Sequence, residues 1–429
     1  MSSMLERLAS PRVSAPLDTG WVRSQFPSLA HDRNRHAAAY LDAPGGTQVP
    51  ERVIDAMGNY LRVRNANTCG AYPTSRETDE MIAGARAAMA DFLGCDADEI
   101  VFGPNMTSLT YAVSRALGRE LRPGDEILVT RLDHDANISP WRALEERGAK
   151  VEFVDIREPD CTLDMDDLER KLSSRTKILA LGYASNAVGT INDVNTAVRL
   201  ARAAGALTYI DAVHYAPHGP ISLRELGCDF LVCSTYKFFG PHMGVLYGKR
   251  EHLEKFEPYK LRANTNRVPQ RWEWGTLNHE GIAGVAACVD YLAELGKRSH
   301  PEPVSSRRKA IEAAYRVIQA HERRLSETML AGFDEIRGLR LYGISDPARL
   351  GSRCPTFAVR MQGQTPLELA TKLGEAGIFT WDGNYYAINL TERLGVENDG
   401  GFLRIGFVHY NTEEEAERVL QFLRAQAAG

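Results

Sequence analysis

Short apolar runs alternate with helical patterns over most of the chain. The run at residues 126–130 is typical of a buried strand, whereas Val53, Met57 and Leu61 recur at the spacing of one helix face. The predicted strands cover 39–42, 99–102, 126–130, 151–155, 178–181, 230–233 and 244–247, with one more ending at Asp211. The predicted helices cover 50–62, 107–117 and 197–204, with helical stretches over 141–147 and around Leu168.

This alternation predicts an α/β fold, because strands separated by helices of this length form a mostly parallel sheet with helices on both faces. The composition changes after Tyr291, and residues 297–303 are polar and rich in proline. A long helix over 305–333, strands at 356–359 and 402–407 and a terminal helix at 413–428 then predict an α+β pattern. We expect an N-terminal arm over 1–35 that joins the small domain, a large domain over 36–298 and a small α+β domain over 299–429.

Composition narrows the class of partner. The 429 residues carry a formal net charge of -5, which gives no basic surface for nucleic acid or anionic lipid and favours a small-molecule partner. No stretch has the length and apolar character of a signal peptide or a membrane span, so we expect a soluble cytoplasmic protein. The seven cysteines show no C-x-x-C spacing, which favours reduced thiols over a disulfide framework or a zinc site.

Two strand ends carry candidate chemistry. Asp211 ends one apolar strand, and Ser234 and Lys237 come at the end of another. In an open α/β sheet, ligands bind at the carboxyl ends of the strands, so these side chains are candidates for a binding site. A lone lysine is usually a solvated surface residue. A carboxylate at the end of a buried strand, however, is costly without a cationic partner, and a protonated pyridine nitrogen would be such a partner.

A third strand end resembles an anion site. Residues 103–108 leave a strand and enter a helix through small and polar side chains, which directs backbone N–H groups and the helix dipole at an anion. A plain N-cap by Asn105 or Thr107 explains the same residues equally well. Residues 43–46 form a glycine turn where backbone can approach a ligand. The chain thus offers an anion site for a phosphate group, a carboxyl group that can pair with a ring nitrogen, and an amine that can react with an aldehyde. Together these groups indicate a pyridoxal 5′-phosphate site.

From about Tyr40 to Thr412, the motifs resemble the class V, fold-type I pyridoxal phosphate enzymes, in the branch of cysteine desulfurases and selenocysteine lyases. The resemblance implies a seven-stranded, mostly parallel sheet with helices on both faces and a smaller α+β domain. It also implies a homodimer with active sites at the subunit interface, because Gly275-Thr276 matches the segment that closes the phosphate site of the second subunit.

The resemblance further implies roles for individual residues. Lys237 matches the position that forms the internal aldimine, Asp211 the acid on the pyridine nitrogen, and His134 the histidine that stacks on the ring. Near the ring oxygen stand His214 and Asn186, the latter also beside the substrate, and Arg404 matches the arginine that binds the substrate α-carboxylate. The positions that match phosphate ligands are Met106, Thr107, Ser234 and, from the partner subunit, Thr276.

The chain departs from this family at residues 381–387, Trp-Asp-Gly-Asn-Tyr-Tyr-Ala. Tyr386 stands where cysteine desulfurases carry the nucleophilic cysteine, and a phenol cannot accept a sulfane sulfur as a thiolate does. Cys69, in a loop that approaches the substrate entrance in the family, remains a candidate for a catalytic, structural or lid role. An aromatic entrance suited to a substrate larger than free cysteine is suggested by Tyr72, Tyr385 and Tyr386. Ordinary packing of these three side chains is the alternative.

We therefore expect a lyase that eliminates a β-substituent from an L-amino acid, such as a cysteine derivative, through a lysine aldimine and a quinonoid. Lys237 would act as the base at Cα, and Tyr386 or His134 would protonate the leaving group. The alternatives are a cysteine desulfurase or selenocysteine lyase, an epimerase of the isopenicillin N type, a decarboxylating enzyme and an aminotransferase. A non-catalytic protein that only binds the cofactor is the remote alternative.

Overall fold

The architecture is known from a computed structural model that describes residues 16–33, 36–300 and 302–428. Its α-helices are α1 Thr19–Ser24, α2 Glu51–Asn59, α3 Pro73–Leu93, α4 Met106–Leu117, α5 Ser139–Arg142, α6 Met165–Lys171, α7 Val194–Ala204, α8 Leu223–Leu226, α9 Arg250–Lys255, α10 His279–Ser299, α11 Arg307–Asp334, α12 Pro366–Glu375, α13 Ile388–Arg393 and α14 Glu413–Ala428. A π-helical turn, Tyr60–Arg64, extends α2. Short 3₁₀ segments are Pro27–Ala30, Ala97–Glu99, Asp135–Asn137, Ala143–Arg147, Thr235–Lys237, Gln270–Trp272, Pro347–Ser352 and Glu397–Asp399.

A seven-stranded sheet forms the centre of the molecule. Its strands are β1 Ile100–Gly103, β2 Glu126–Thr130, β3 Lys150–Val154, β4 Thr176–Gly182, β5 Leu207–Asp211, β6 Phe230–Ser234 and β7 Gly244–Gly248. Their spatial order is β1-β7-β6-β5-β4-β2-β3, and β7 alone runs antiparallel to its neighbours. The predicted α/β class, with a mostly parallel sheet, is confirmed.

Helices cover both faces of this sheet, as the continuous apolar strands require. Successive residues of a strand point to opposite faces, so Ile210 packs with the α3, α7, α10 and α11 layer, whereas Tyr209 packs with the α4 and α5 layer. Helix ends follow their caps: Asp193 accepts the Thr196 N–H at 3.0 Å, and α7 ends at Gly205, whose φ of 81° lies in the left-handed region.

The C-terminal region contains a four-stranded antiparallel sheet in the order β8-β9-β11-β10. Its strands are β8 Leu339–Tyr342, β9 Thr356–Met361, β10 Trp381–Gly383 and β11 Phe402–Gly406. Helices α11, α12 and α14 enclose its own core. The short strand Ala39–Tyr40 pairs in parallel with Ile378–Phe379, and the remaining two-residue strands pair as Asp32–Arg33 with His36–Ala37 and Ile156–Arg157 with Thr162–Leu163.

The domain boundaries at 35 and 298 stay predictions. Residues 39–42, placed in the large domain from the sequence, pair with the C-terminal region through Phe379 and Gly406. The predicted arm, residues 1–35, is described only from residue 16 and at 16–33; there Trp21 stacks on Tyr291 of α10, and Arg23 bonds Glu415 of α14 at 3.0 Å. This part of the arm therefore contacts both regions.

The cysteines all lie in the described part of the chain and carry free thiols. Cys69 is exposed, and the other six are buried. Within residues 16–33, 36–300 and 302–428, we find no helix with the length and apolar character that crossing a membrane requires.

Candidate active site

A cleft of about 530 Å³ opens at the carboxyl ends of β2, β4, β5 and β6. The residues after parallel strands meet there because these strand ends share one edge of the sheet. Segment 381–386 and Arg404 form the opposite wall. Ten of the residues predicted from the sequence line this cleft, namely Met106, Thr107, His134, Asn186, Asp211, His214, Ser234, Lys237, Tyr386 and Arg404.

Lys237 lies in the 3₁₀ turn that follows β6. Its Nζ donates hydrogen bonds to the carbonyls of Pro44 and Gly45, the latter at 2.9 Å, so the glycine turn predicted to approach a ligand also contacts the lysine. Burial, followed by the positive charge of Arg404, lowers the pKa of Lys237 to about 7, although Asp42 and Asp211 act in the opposite direction. A large fraction of this amine is therefore neutral near pH 7, as a nucleophile or base requires.

Asp211 is buried at the end of β5 and accepts the Val213 N–H at 2.8 Å. Burial raises the pKa of its carboxyl to about 6, and the Val213 hydrogen bond and Lys237 only partly offset that effect. A cation beside Asp211 would remove this cost and hold the carboxylate ionised. The pyridinium predicted from the sequence is such a cation.

A second buried carboxyl, Asp133, was missed in the sequence. It follows β2, lines the cleft and accepts hydrogen bonds from the Gly182 N–H at 2.7 Å and from Asn137 Nδ2 at 3.0 Å. Burial, reinforced by the nearby charge of Asp211, raises the pKa of Asp133 to about 7. The sequence contained the signal that identified Asp211: a carboxylate at or just after the end of a buried strand. Asp133 follows β2 in this way, as Asp211 ends β5.

The start of α4 forms one end of the cleft. Ser234 Oγ accepts the Met106 N–H at 3.1 Å, which ties the end of β6 to the first turn of α4. Asn105 caps the helix by accepting the Ser108 N–H at 2.9 Å, so the N-cap interpretation is correct for Asn105. Met106, Thr107 and Ser234 nevertheless all face the cleft, and this helix start with an adjacent hydroxyl suits a phosphate group.

His134 and Tyr386 stack at the mouth of the cleft, with ring centroids 5.3 Å apart and planes inclined by 26°. The Ala136 N–H donates to His134 Nδ1 at 2.9 Å, so the neutral imidazole carries its proton on Nε2. Burial lowers the pKa of His134 to about 4, and Lys237 contributes in the same direction. Tyr386 is 65% exposed, and its carbonyl accepts the Asp135 N–H at 2.7 Å.

Arg404 is buried, at 2% exposure, on β11. It forms an ion pair with Asp42 at 2.8 Å, donates to the Asn186 carbonyl at 3.1 Å and lies 4.1 Å from the centroid of the Tyr385 ring. Its buried Nε has no hydrogen-bond partner among the described residues, and neither has Asn186 Oδ1. Both residues line the cleft, and buried polar atoms are normally hydrogen-bonded, so their unpaired atoms favour a polar ligand at this end of the cleft.

His214 is buried at the inner end of the cleft, where its Nε2 lies 3.2 Å from Thr356 Oγ1. Burial lowers the pKa of His214 well below its usual value, and the neighbouring His218, Arg404 and Lys237 add to the effect. His214 is therefore a neutral imidazole that can hydrogen-bond a ring oxygen.

These residues fit pyridoxal 5′-phosphate. The cleft offers a neutral amine at Lys237, a carboxyl that needs a cation at Asp211, and an anion site at the start of α4. The unpaired atoms of Arg404 and Asn186 add polar contacts for a substrate carboxylate or a ring oxygen. The aldehyde, ring nitrogen and phosphate of the cofactor thus each have a complementary group here, as does a substrate carboxylate.

Two of the predicted residues lie elsewhere. Thr276 lines a separate depression together with Cys69, and Tyr72 is 49% exposed at the start of α3. Neither lines the cleft of its own chain, so the role of Thr276 in a second subunit and that of Tyr72 at the substrate entrance stay predictions. The Cys69 N–H is held by the Asp79 carboxylate at 3.2 Å.

The chain is similar to known proteins along nearly its whole length. The sequence model of the family described as "Aminotransferase class-V" matches residues 39–419. A cysteine desulfurase of Pectobacterium atrosepticum is 32% identical over 420 residues, which cover 94% of this chain and 96% of that protein. A probable cysteine desulfurase of Halalkalibacterium halodurans is 31% identical over 418 residues, with coverages of 94% and 96%.

Solved structures resemble the fold over nearly its whole length. The apo structure of a cysteine desulfurase from Thermococcus onnurineus NA1 superposes with a TM-score of 0.85 at 27% identity and covers 97% of this chain and 99% of its own. A cysteine desulfurase of Escherichia coli gives a TM-score of 0.80 at 26% identity, with coverages of 96% and 99%.

Proposed function

Because this chain belongs to the aminotransferase class-V family and is a pyridoxal 5′-phosphate-dependent enzyme of the lyase type, we propose that it eliminates a β-substituent from an L-amino acid. The substrate class we propose is a cysteine derivative, in line with relatives named cysteine desulfurases. One observation supports elimination over persulfide formation: among the described residues, no cysteine lines the cleft that contains Lys237 and Asp211.

The residues that would hold the cofactor follow from the site. Lys237 Nζ would bind its carbonyl carbon, Asp211 its ring nitrogen, Ser234 and the start of α4 its phosphate, and His134 a ring face. Asn186 and His214 would contact the ring oxygen. When bound, pyridoxal 5′-phosphate supplies an electron-withdrawing ring that stabilises negative charge at the substrate Cα.

The chain itself would bind the substrate and move its protons. Arg404 binds the α-carboxylate, in place of or beside its present contact with Asp42, and so orients the Cα–H bond. Lys237 Nζ, neutral in a large fraction near pH 7, then accepts the Cα proton.

The β-substituent leaves with the bonding electrons and takes a proton from Tyr386 Oη at the mouth of the cleft. His134, the other donor expected there, is neutral near pH 7, so its Nε2–H can hydrogen-bond the leaving group but does not protonate it. With water, a cysteine derivative R–S–CH₂–CH(NH₃⁺)COO⁻ gives R–SH, pyruvate and ammonium. The net reaction needs no oxidant or reductant, and no protein cysteine takes part in it.

Product analysis tests this function. The holoenzyme is incubated with S-substituted cysteines and with free cysteine, and pyruvate, alanine, thiol and sulfide are measured. Pyruvate with an equal amount of thiol is the expected result. Lys237→Ala should abolish it, whereas Lys297→Ala, an exposed lysine of α10, should leave it unchanged.

Cysteine desulfuration is the second candidate, because the chain is similar to proteins named cysteine desulfurases. It would give alanine and a persulfide instead of pyruvate, with Cys69 as the exposed thiol of the chain. Alanine as the main product, lost in Cys69→Ser and kept in Tyr386→Phe, would overturn elimination. Exchange of the Cα hydrogen with deuterated solvent and no pyruvate would indicate epimerisation.

A further inference from the structure

Three buried side chains with metal-ligating atoms lie close together, and one of them, His214, lines the cleft. His214 and His218 follow β5, and Cys354 precedes β9, so the large sheet supplies two of them and the C-terminal region the third. One ligating atom from each lies within 4.8 Å of the other two. The side chains are 4%, 4% and 1% exposed, respectively. The cluster therefore differs from the exposed acidic groups that often occur without any ion.

A carboxylate orients one of the two imidazoles. Glu322, buried in α11, lies with Oε2 2.9 Å from His218 Nδ1. When Nδ1–H donates to this carboxylate, Nε2 keeps its lone pair, which is the form in which histidine binds a metal. Histidine ligands of metal sites commonly have such a carboxylate partner on the second ring nitrogen.

The other two candidate ligands are a buried imidazole, His214, and a buried thiol, Cys354. His214 Nε2 lies 3.2 Å from Thr356 Oγ1, so this imidazole already contacts the C-terminal region that supplies Cys354. A divalent cation would stabilise the Cys354 thiolate, and its binding would release one proton from the thiol to solvent.

We propose that His214, His218 and Cys354 form a binding site for one borderline-soft divalent cation of the zinc class. Two imidazoles and one thiolate are a donor set that zinc prefers over magnesium or calcium, and they leave a fourth position for water. With metal–ligand bonds of about 2.0 to 2.3 Å, ligating atoms in a tetrahedral site lie about 3.3 to 3.8 Å apart. The three atoms therefore need to approach one another by at most about 1.5 Å.

The sequence predicted no zinc site because the cysteines lack paired spacing. That rule finds sites built from one local segment, whereas here the fold brings a single cysteine to two distant histidines. His214 also lines the cleft, so the cation would bind one of its ring nitrogens and leave the other for either Thr356 or the ring oxygen of the cofactor.

Metal binding can be measured without catalysis. The full-length protein is stripped with a chelator, titrated with Zn²⁺ or Co²⁺, desalted and analysed for bound metal. About one equivalent should remain, and Co²⁺ should show the charge-transfer absorption of a cobalt–thiolate bond. Lys237→Ala should bind the same amount, because the site does not depend on the covalently held cofactor.

Variants identify the ligands. Cys354→Ser should lose the thiolate band and bind Zn²⁺ at least about tenfold more weakly, and Glu322→Gln should weaken binding by about 10- to 100-fold. Cys228→Ser removes an equally buried thiol away from the cluster and should change neither property. Circular dichroism and thermal melting establish that each variant is folded.

Two results would overturn the site. One is a stripped wild-type protein that retains no Zn²⁺ or Co²⁺ after desalting. The other is a folded Cys354→Ser variant with the affinity and the thiolate band of the wild type, since the thiolate would then belong to another cysteine such as Cys69.

Discussion

The capture of pyridoxal 5′-phosphate by Lys237 should depend on pH with a midpoint far below that of an ordinary lysine. The reaction needs the neutral amine, and burial together with Arg404 lowers the pKa of Lys237 from 10.5 to about 7. Close to half of these amines are then neutral at pH 7, whereas a lysine at 10.5 is neutral in roughly 1 molecule of 3,000. The capture rate should rise about tenfold per pH unit below 7 and level off above it.

Two substitutions should move this midpoint in opposite directions. Arg404→Gln removes a positive charge that disfavours the protonated amine, so the pKa of Lys237 and the midpoint should rise. Asp42→Asn removes a negative charge that favours the protonated amine, so both should fall. The opposite signs separate electrostatics from general damage to the site, because damage would slow capture in both variants without opposite shifts.

The assay mixes cofactor-free protein with pyridoxal 5′-phosphate in a stopped-flow instrument and follows the visible absorbance between pH 5 and about 10. A lysine amide treated in parallel corrects for the titration of the cofactor itself. Borohydride reduction followed by peptide mapping must place the label on Lys237 and show none in Lys237→Ala. A rate that still climbs tenfold per unit above pH 9, or shifts of the same sign in both charge variants, would refute the account.

Three further outcomes are expected. Asp211→Asn should keep the visible band of bound cofactor but lower kcat by about 100- to 1,000-fold, measured by steady-state pyruvate formation, because one charge-stabilising group is lost. Arg404→Lys should lower kcat/KM by roughly 10- to 100-fold, since a single ammonium cannot replace the guanidinium fork. Glu273→Gln should destabilise the fold by about 3 to 5 kcal/mol in urea unfolding, because it removes the negative charge that neutralises the buried Arg86 guanidinium, 2.7 Å away. Asp166→Asn, in an exposed ion pair, is the matched control and should change stability little.

The sheet could be predicted from the sequence because strands covered on both faces must be apolar throughout. The run at 126–130 coincides with β2, Glu126–Thr130, whose five residues are all buried. Helix α10 was not predicted, and its glycines are one reason, since glycine weakens a helical pattern. The fold explains Gly296: a Cβ there would overlap the Ala310 carbonyl oxygen, so glycine permits the close approach of α10 to α11.

The candidate site, too, could be predicted only in part from the sequence. Asp211, Ser234 and Lys237 could be placed because each ends or follows a strand, and parallel strands bring their ends together. The low pKa of Lys237 could not be predicted, because it arises from burial and from Arg404, which lies far away in the sequence. The contact of Lys237 with the Gly45 carbonyl is equally non-local.

The conformation of the loop at Tyr386, where the sequence predicts a departure from the family, could not be predicted from the sequence. Tyr385 and Tyr386 have φ values of 55° and 60°, a left-handed conformation that costs of order 1 to 3 kcal/mol per non-glycine residue. Asn186 Nδ2 holds the Tyr385 carbonyl at 2.9 Å, and the Asn186 carbonyl accepts from Arg404 at 3.1 Å. Asn186 thus contacts both Arg404 and the loop that carries Tyr386. Neither contact could be predicted from the sequence, because Asn186 lies far from both residues along the chain.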